Sequence, residues 1–431
     1  MTRWLGAGVV VVAAAAVVLL FARGGDGPRR VTAEREAQAT PTPSATPQAS
    51  IEPVGISEHL SALSAAAGDE RTRVAGSPGD AGTARYVASR LRAAGYRVSE
   101  PAFKVPLFLE RSPARVSGLR RGQFLTMGFS GSGRAAARLR AVGLGCARSD
   151  YAGLRRGEIA FARRGVCTFR SRAGLAQRAG AGALLVISDR GAPFSGSLGG
   201  PGTRIPVIAV STRAGRELSR RSRVRVRVDA ISAKRTTRNV IGEIGPEGAE
   251  RVFMAGAHLD SVREGPGIND NGSGTAAVLE VAEQLASRPL AGGAALRVGF
   301  WAAEEIGLVG SHRYVERLSA AERKRIRAYL NLDMVGSPGE KAAVYAGRGE
   351  HGEAIEAELR KALPPGAPQE SLGGASDHAS FADADIPVGG IFTGLDRCYH
   401  RACDRIGNVD PALAASSARA TAEALTALAA R

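Results

Sequence analysis

The spacing of apolar and polar positions changes twice along the chain. From Ile51 onward two stretches carry helical spacing. The second, Asp80 to Ala94, sets Ala84, Val87 and Leu91 on one face and stops before Gly95; Tyr96 to Ser99 then reads as a strand. Between about 105 and 230 the rhythm shortens. Small β-like runs (GEIAFARRG, AGALLVISD, RIPVIAV, VRVRVDA) alternate with Gly and Arg, and one helix, Phe169 to Ala179, separates the first two. After Thr237 longer apolar runs return. Strands are predicted at 251–257, 296–302, 328–335, 342–346 and 387–393. Helices are predicted from Thr275 to Leu285, from Ser311, from Glu350 to Leu363 and from Pro411 to Arg431. Strands alternating with helices imply an α/β domain. The β-rich block reads as an insertion, because the alternation resumes after it.

Ahead of this lies Trp4 to Ala22, an uncharged run long enough to cross a bilayer as a helix, with Arg3 before it and Arg23 after it. It lacks a clean small-x-small cleavage site, which favours an uncleaved anchor over a signal segment. Residues 24–50 are rich in Gly, Pro, Ser and Thr and read as a linker. The expected organisation is therefore an anchor or signal over 1–23, a linker over 24–50, an α/β domain in two parts, 51–104 and 231–431, and an insert over 105–230.

Composition changes this picture in three places. Hydrophobic residues make up 44% of the chain, enough for a sizeable core. The net charge is +17, nearly all from Arg and densest between Arg111 and Arg227. No nucleic-acid module accompanies it, and aromatic residues are only 5%, leaving little for base stacking. Nucleic acid is therefore not an expected partner, whereas a basic surface favours anionic partners or an anionic cell envelope. Membrane contact is expected through the N-terminal segment alone. The four cysteines fall as Cys146 with Cys167 and Cys398 with Cys403. An even count downstream of an export segment suggests two disulfides and an extracytoplasmic location, membrane-anchored or secreted.

The chemistry sits in the second α/β part. His258, Asp260, Glu304, Glu305 and Asp333 close or follow apolar strand runs; Asp270 and His400 lie in loops. Charged groups at the ends of buried strands are costly unless paired or bound to metal. Two imidazoles and three carboxylates suit zinc or a similar ion, and suit two ions better than one, with a carboxylate between them. Two divalent cations balance Asp270, Glu305, Asp333 and one bridging hydroxide, which would act as the nucleophile. Of the pair Glu304-Glu305, one can bind metal and the other can move the proton. Asp260, two residues after His258, shares its strand face and could accept the other ring N–H. His59 and His351 are expected on exposed helix faces and His312 near a helix start. His378, in Ser376-Asp377-His378, could line the site.

In their order, HLD, NDNGSG, WAAEE, LNLDMVG and CYHRACD resemble the successive signatures of the M28 family of co-catalytic zinc aminopeptidases. The resemblance implies a mixed, mostly parallel eight-stranded sheet flanked by helices, and two Zn²⁺ per chain. It implies that His258 and Asp333 hold one ion, Glu305 and His400 the other, and that Asp270 bridges them. Glu304 would be the general base, Tyr399 a hydrogen-bond donor to the developing oxyanion, and the Asp270–Asn271 peptide bond cis. The implied substrate is the N-terminus of a peptide or protein. A carboxypeptidase-like or glutaminyl-cyclase-like enzyme, or a receptor-like relative without activity, are the competing readings. The insert resembles a protease-associated (PA) domain, with Cys146 and Cys167 as its paired cysteines.

Overall fold

The computed structural model describes residues 51–69, 71–345 and 352–431. The expected anchor and linker lie outside the described residues, as does His351. Among the described residues no helix is long and apolar enough to cross a membrane.

One eight-stranded sheet organises the α/β part. Its strands are β1 (Arg97–Ser99), β2 (Val240–Ile244), β3 (Val252–His258), β4 (Ala295–Trp301), β5 (Ile326–Leu332), β6 (Ala343–Tyr345), β7 (Gln369–Glu370) and β8 (Val388–Phe392). Their order across the sheet is β1-β2-β4-β3-β5-β8-β6-β7. The central four, β4-β3-β5-β8, are parallel. β1 and β2 at one edge, and the β6–β8 pairing towards the other, are antiparallel. All seven residues of β3 are buried, which is why it reads as an unbroken apolar run: a central parallel strand is covered on both faces.

The two covering layers differ in character. One face carries the helices Pro53–Ala66, Pro78–Ala93, Gly274–Ala286, Gly352–Ala362 and Pro411–Ala429, whose Leu60, Val87, Leu91, Leu279 and Leu425 join one apolar core. The other face is aromatic. Tyr329 and Phe381 stack at 3.7 Å, and the Trp301 indole N–H donates to the Tyr329 hydroxyl at 2.7 Å, so the buried polar tips are satisfied.

His59 departs from its expectation. It is 2% exposed and lies between helices, its Nδ1 2.7 Å from the Tyr86 hydroxyl and its Nε2 3.4 Å from Glu280 Oε1. The helical spacing around it, Ile56, Leu60 and Leu63, is apolar enough to carry a neighbouring polar residue inward when acidic partners wait on the facing helix.

The insert leaves and rejoins the α/β part along a two-stranded ribbon. Ala102–Val116 and Val224–Arg238 pair antiparallel from Ala102↔Arg238 to Val116↔Val226. With Gly133–Ala137 they form a three-stranded sheet. A five-stranded sheet packs beside it, with Phe169–Arg178 and Thr212–Ser219 as helices. Residues Phe108, Val226, Val228, Ile159 and Ile208 share the core between these sheets. The Cys146–Cys167 and Cys398–Cys403 disulfides are both formed.

Candidate metal centre

Three parallel strands end side by side and deliver the polar residues to one place. β3 ends in His258. β4 ends in Trp301 and is followed by Ala302, Ala303 and the pair Glu304-Glu305; β5 is followed by Asp333. Three of the seven non-glycine residues with left-handed φ among the described residues stand here: Ala303 (65°), Met334 (50°) and His400 (55°). Such backbone is uncommon for residues with a Cβ and is held only where the surroundings over-determine it.

The side chains converge on Asp270. Its Oδ1 lies 3.3 Å from His258 Nε2, and its Oδ2 lies 3.2 Å from His400 Nε2. Asp333 Oδ1 is 3.5 Å from His258 Nε2, and Glu305 Oε2 is 3.2 Å from His400 Nε2. Glu304 Oε2 stands 3.9 Å from His258. The five sequence-predicted ligands therefore meet, split into two groups that share Asp270. Two buried carboxylate oxygens, Asp333 Oδ1 and Glu305 Oε1, have no hydrogen-bond donor. Orphaned acceptors beside two imidazoles are what a divalent cation would satisfy, so the donor set fits a metal.

The electrostatics point the same way. Burial opposes a charge on His258, yet the Asp333 and Glu304 carboxylates outweigh it and hold the imidazole well above its ordinary range. Hydrogen bonds to Asp270 and Glu305 raise His400 to about 10. Burial pushes Glu304 up to about 10 and Glu305 up to about 7. Asp270 is also buried, but the two imidazoles keep it below the usual carboxylate range. Without added positive charge the array holds protons that a cation would displace. Burial also pushes the Tyr399 phenol up to about 12, with the Asp270 and Glu305 charges adding to the effect, so it remains a donor; its ring stacks on His400 at 3.8 Å.

The Asn and Gly around Asp270 hold its loop. Asn271 Nδ2 donates to the Leu332 carbonyl, and Asn271 Oδ1 accepts from Gly274 N–H. Asn269 Nδ2 donates to Ser337 Oγ and Asp396 Oδ2. A Cβ on Gly274 would stand 2.3 Å from the Leu332 carbonyl oxygen, so only glycine fits there. The Asp270–Asn271 bond is cis.

Asp260 faces His258, as expected, and takes on a second role. The nearest partner of His258 Nδ1 is the Asp260 backbone carbonyl, at 3.2 Å, with the carboxylate at 3.7 Å. That carboxylate also accepts the backbone N–H groups of Glu304 (3.0 Å) and Glu305 (3.4 Å), holding the acidic turn. His378 stands apart from both ligand groups. Its Nε2 is 2.9 Å from the Gly373 carbonyl, and its neighbour Ser376 donates to Asp333 Oδ2 at 2.6 Å.

Two supporting residues escaped sequence reasoning. Arg73, fully buried, donates to the carbonyls of Pro266, Leu259 and Gly267 beneath the Asp270 loop. Asp404 accepts the backbone N–H of Asn269 at 2.7 Å and of Asp270 at 3.0 Å. Asp404 closes the CYHRACD motif, a usable signal; Arg73 sits in an unremarkable polar stretch and had none.

A cleft of about 470 Å³ opens beside Glu305 and Asp260. Val74 and Ile306 line its α/β side, and Phe108, Phe129 and Ser195 line its insert side.

Residues 239–425 match the model of peptidase family M28, and residues 134–218 match that of the PA domain. An aminopeptidase of Pseudomonas aeruginosa is 32% identical, over 79% of this chain and 74% of its own length. A probable lipoprotein aminopeptidase of Mycobacterium tuberculosis is 35% identical, over 78% and 73%. The solved zinc aminopeptidase of Bacillus subtilis superposes with a TM-score of 0.62 at 27% identity, covering 89% of this chain and 95% of that one. Converging histidines and carboxylates at the ends of parallel strands, a β-rich insert on a ribbon, and relatives matched over most of their length lead to one family: the chain belongs to peptidase family M28, the metallo-exopeptidases, with a PA domain set into it.

Proposed function

We propose that the chain is an extracytoplasmic aminopeptidase that holds two zinc ions and removes N-terminal residues from peptides or proteins. The observation that carries this reading is the position of Asp270, whose two oxygens face different histidines. His258 and Asp333 would hold one ion, Glu305 and His400 the other, and Asp270 both. Bound ions would supply the positive charge the array lacks and Lewis-acid chemistry towards water and the scissile carbonyl.

The chain's own groups do the rest. Glu304, outside both ligand pairs, takes the proton of the attacking water and passes it to the leaving amine. Tyr399, protonated and stacked on His400, donates to the oxygen that becomes charged. Asp260 fixes the Glu304-Glu305 turn, and Arg73 with Asp404 fixes the Asp270 loop. Phe108 and Phe129 make the insert one wall of the cleft, giving the PA domain a part in shaping substrate access. The domain division 51–104, 105–230 and 231–431 belongs to the same reading, with the ribbon as the joint.

The test is a panel of chromogenic amino-acid derivatives with free or acetylated amines, assayed with and without chelator beside elemental analysis. The reading requires close to two zinc equivalents, hydrolysis of the free-amine series only, and loss on chelation. Equal hydrolysis of the acetylated series, or activity in a metal-free preparation, overturns it.

A further inference from the structure

The three-stranded sheet of the insert carries an arrangement that works against its own stability. Arg115 on one outer strand lies directly opposite Arg227 on the central strand, and Arg227 lies directly opposite Arg134 on the other outer strand. Directly paired residues share a face, so three guanidinium groups form one row across the sheet. Arg225, two residues along the central strand, projects from the same face, and all four side chains are exposed. Like charges placed directly opposite on neighbouring strands are destabilising. Acidic residues could relieve the row, but Asp229, next on that face, is bound by Arg111 at 2.6 Å. Among the described residues no ion pair reaches Arg115, Arg121, Arg134, Arg225 or Arg227. These five arginines line a groove of about 1020 Å³, with Leu119 and Phe124 between them.

The groove is remote from the chemistry. Phe108 lines the catalytic cleft, whereas Arg115 lies seven residues further along the same strand, roughly 23 Å at the usual rise. An anion bound there does not touch the scissile bond, so a substrate subsite is a poor fit and a docking surface a good one.

We propose that this face of the PA domain docks on an anionic phospholipid surface, its arginine row binding headgroup phosphates. Guanidinium groups pair with phosphate oxygens through two parallel N–H···O bonds, and the half-buried Leu119 and Phe124 pack against the core beneath them. The sequence supplies the surface. The uncharged run Trp4 to Ala22 is long enough to span a bilayer, and a linker with the Gly, Pro, Ser and Thr content of residues 24–50 has a typical reach of about 30 Å. A bilayer held that close raises the effective concentration of headgroups, so weak single contacts add into stable docking.

The full chain is bound to vesicles of phosphatidylcholine alone, or with a third phosphatidylglycerol, and amide hydrogen exchange is followed. The proposal requires slower exchange over 112–121, 134–137 and 223–229 on the anionic vesicles only, reversed at high salt. In Arg115→Ser/Arg134→Ser/Arg227→Ser the docking equilibrium of the anchored chain weakens roughly a hundredfold, at about fivefold per basic residue, and the protection is lost. Arg213→Ser/Arg216→Ser/Arg220→Ser, which removes equal charge from a neighbouring helix, keeps the protection. Identical exchange on both vesicles, or protection that survives the first triple substitution, overturns the proposal. Protection of the same segments by soluble poly-glutamate but not by anionic vesicles assigns the groove to acidic polypeptides and overturns it as well.

Discussion

The α/β part and the insert both contain parallel strands whose carboxyl ends come together, yet the two ends are finished in opposite ways. In the insert, Ala183–Ile187 and Val207–Val210 run into Ser188 and Ser211. Ser211 accepts the Ala214 N–H, and Ser188 accepts the Arg190 N–H, so each strand closes with neutral, satisfied groups. In the large sheet β3, β4 and β5 run into His258, Glu304-Glu305 and Asp333, two oxygens of which lack a donor. The insert's own buried charge, Arg172, sits on the helix Phe169–Arg178, its Nη2 3.4 Å from Cys167 Sγ. A strand end that departs from easy satisfaction marks the chemistry; a strand end that follows it marks a scaffold.

The sharpest way to break this contrast is to remove the cation that the large-sheet end is built for. Chelation should abolish hydrolysis, and zinc should restore it; full activity after verified metal removal would void the comparison. Next in size is Glu304→Gln. It should keep its metal and lose roughly 10²–10⁴-fold in kcat, whereas Glu305→Gln should lose metal. The reverse pattern, read by elemental analysis beside rates, would exchange their roles. Asp404→Asn tests whether the loop beneath the ligands belongs to the site. A weakened hold on the Asp270 backbone should cost roughly 10–100-fold in metal affinity, measured by competition with a fluorescent chelator. Cys398→Ser/Cys403→Ser opens a bridge spanning five residues around Tyr399 and His400. So short a loop constrains the unfolded chain little, so kcat/KM should fall several-fold with a small change in Tm.

The smallest effect concerns Asp80, where the first helices meet the ribbon. Its carboxyl accepts the Gly76 N–H and the Thr237 hydroxyl, and burial pushes it up to about 7. An acid whose folded pKa is raised binds its proton more tightly when folded. Its stabilising protonation is complete below about pH 3.9 and is lost as pH rises through about 7. Over that window it should contribute a falling stability of at most about 1.4 kcal/mol per pH unit. Asp80→Asn should flatten that part of the urea-midpoint profile against pH; an unchanged slope would show that other groups set it.

What the sequence made legible followed local rules. The ligands His258 and Asp333 announce themselves because an apolar run stops at each, and Asp270 because Asn and Gly surround it. Cys398 and Cys403 bracket His400 within a few residues. What stayed hidden depends on contacts across long separations. Arg73 reads as surface in a stretch of charged residues, and only its three carbonyl partners, nearly two hundred residues later, show why it is buried. His59 reads as exposed for the same reason, since its partners Glu280 and Glu283 come from a helix more than two hundred residues away. The pairing of the Asp260 carboxylate with His258 is legible along its own strand, whereas the donors it takes from Glu304 and Glu305 come from the next strand's end.

The ribbon also sets an order of assembly. Helices Pro53–Ala66 and Pro78–Ala93 leave the ribosome long before β2 to β5, which they must help to cover. Between Ala102 and Arg238 the whole insert is synthesised, a delay on the order of ten seconds at bacterial-type rates of about 5–20 residues per second. In that interval the insert can complete its own core, and the pairing of Val226 with Val116 begins closing the ribbon towards Arg238 and Ala102. Each rung drawn shut brings the waiting helices nearer to the strand about to emerge. In the folded chain the ribbon's last rungs, Ala102↔Arg238 and Phe103↔Thr237, set the two halves of the peptidase side by side despite the length of chain between them.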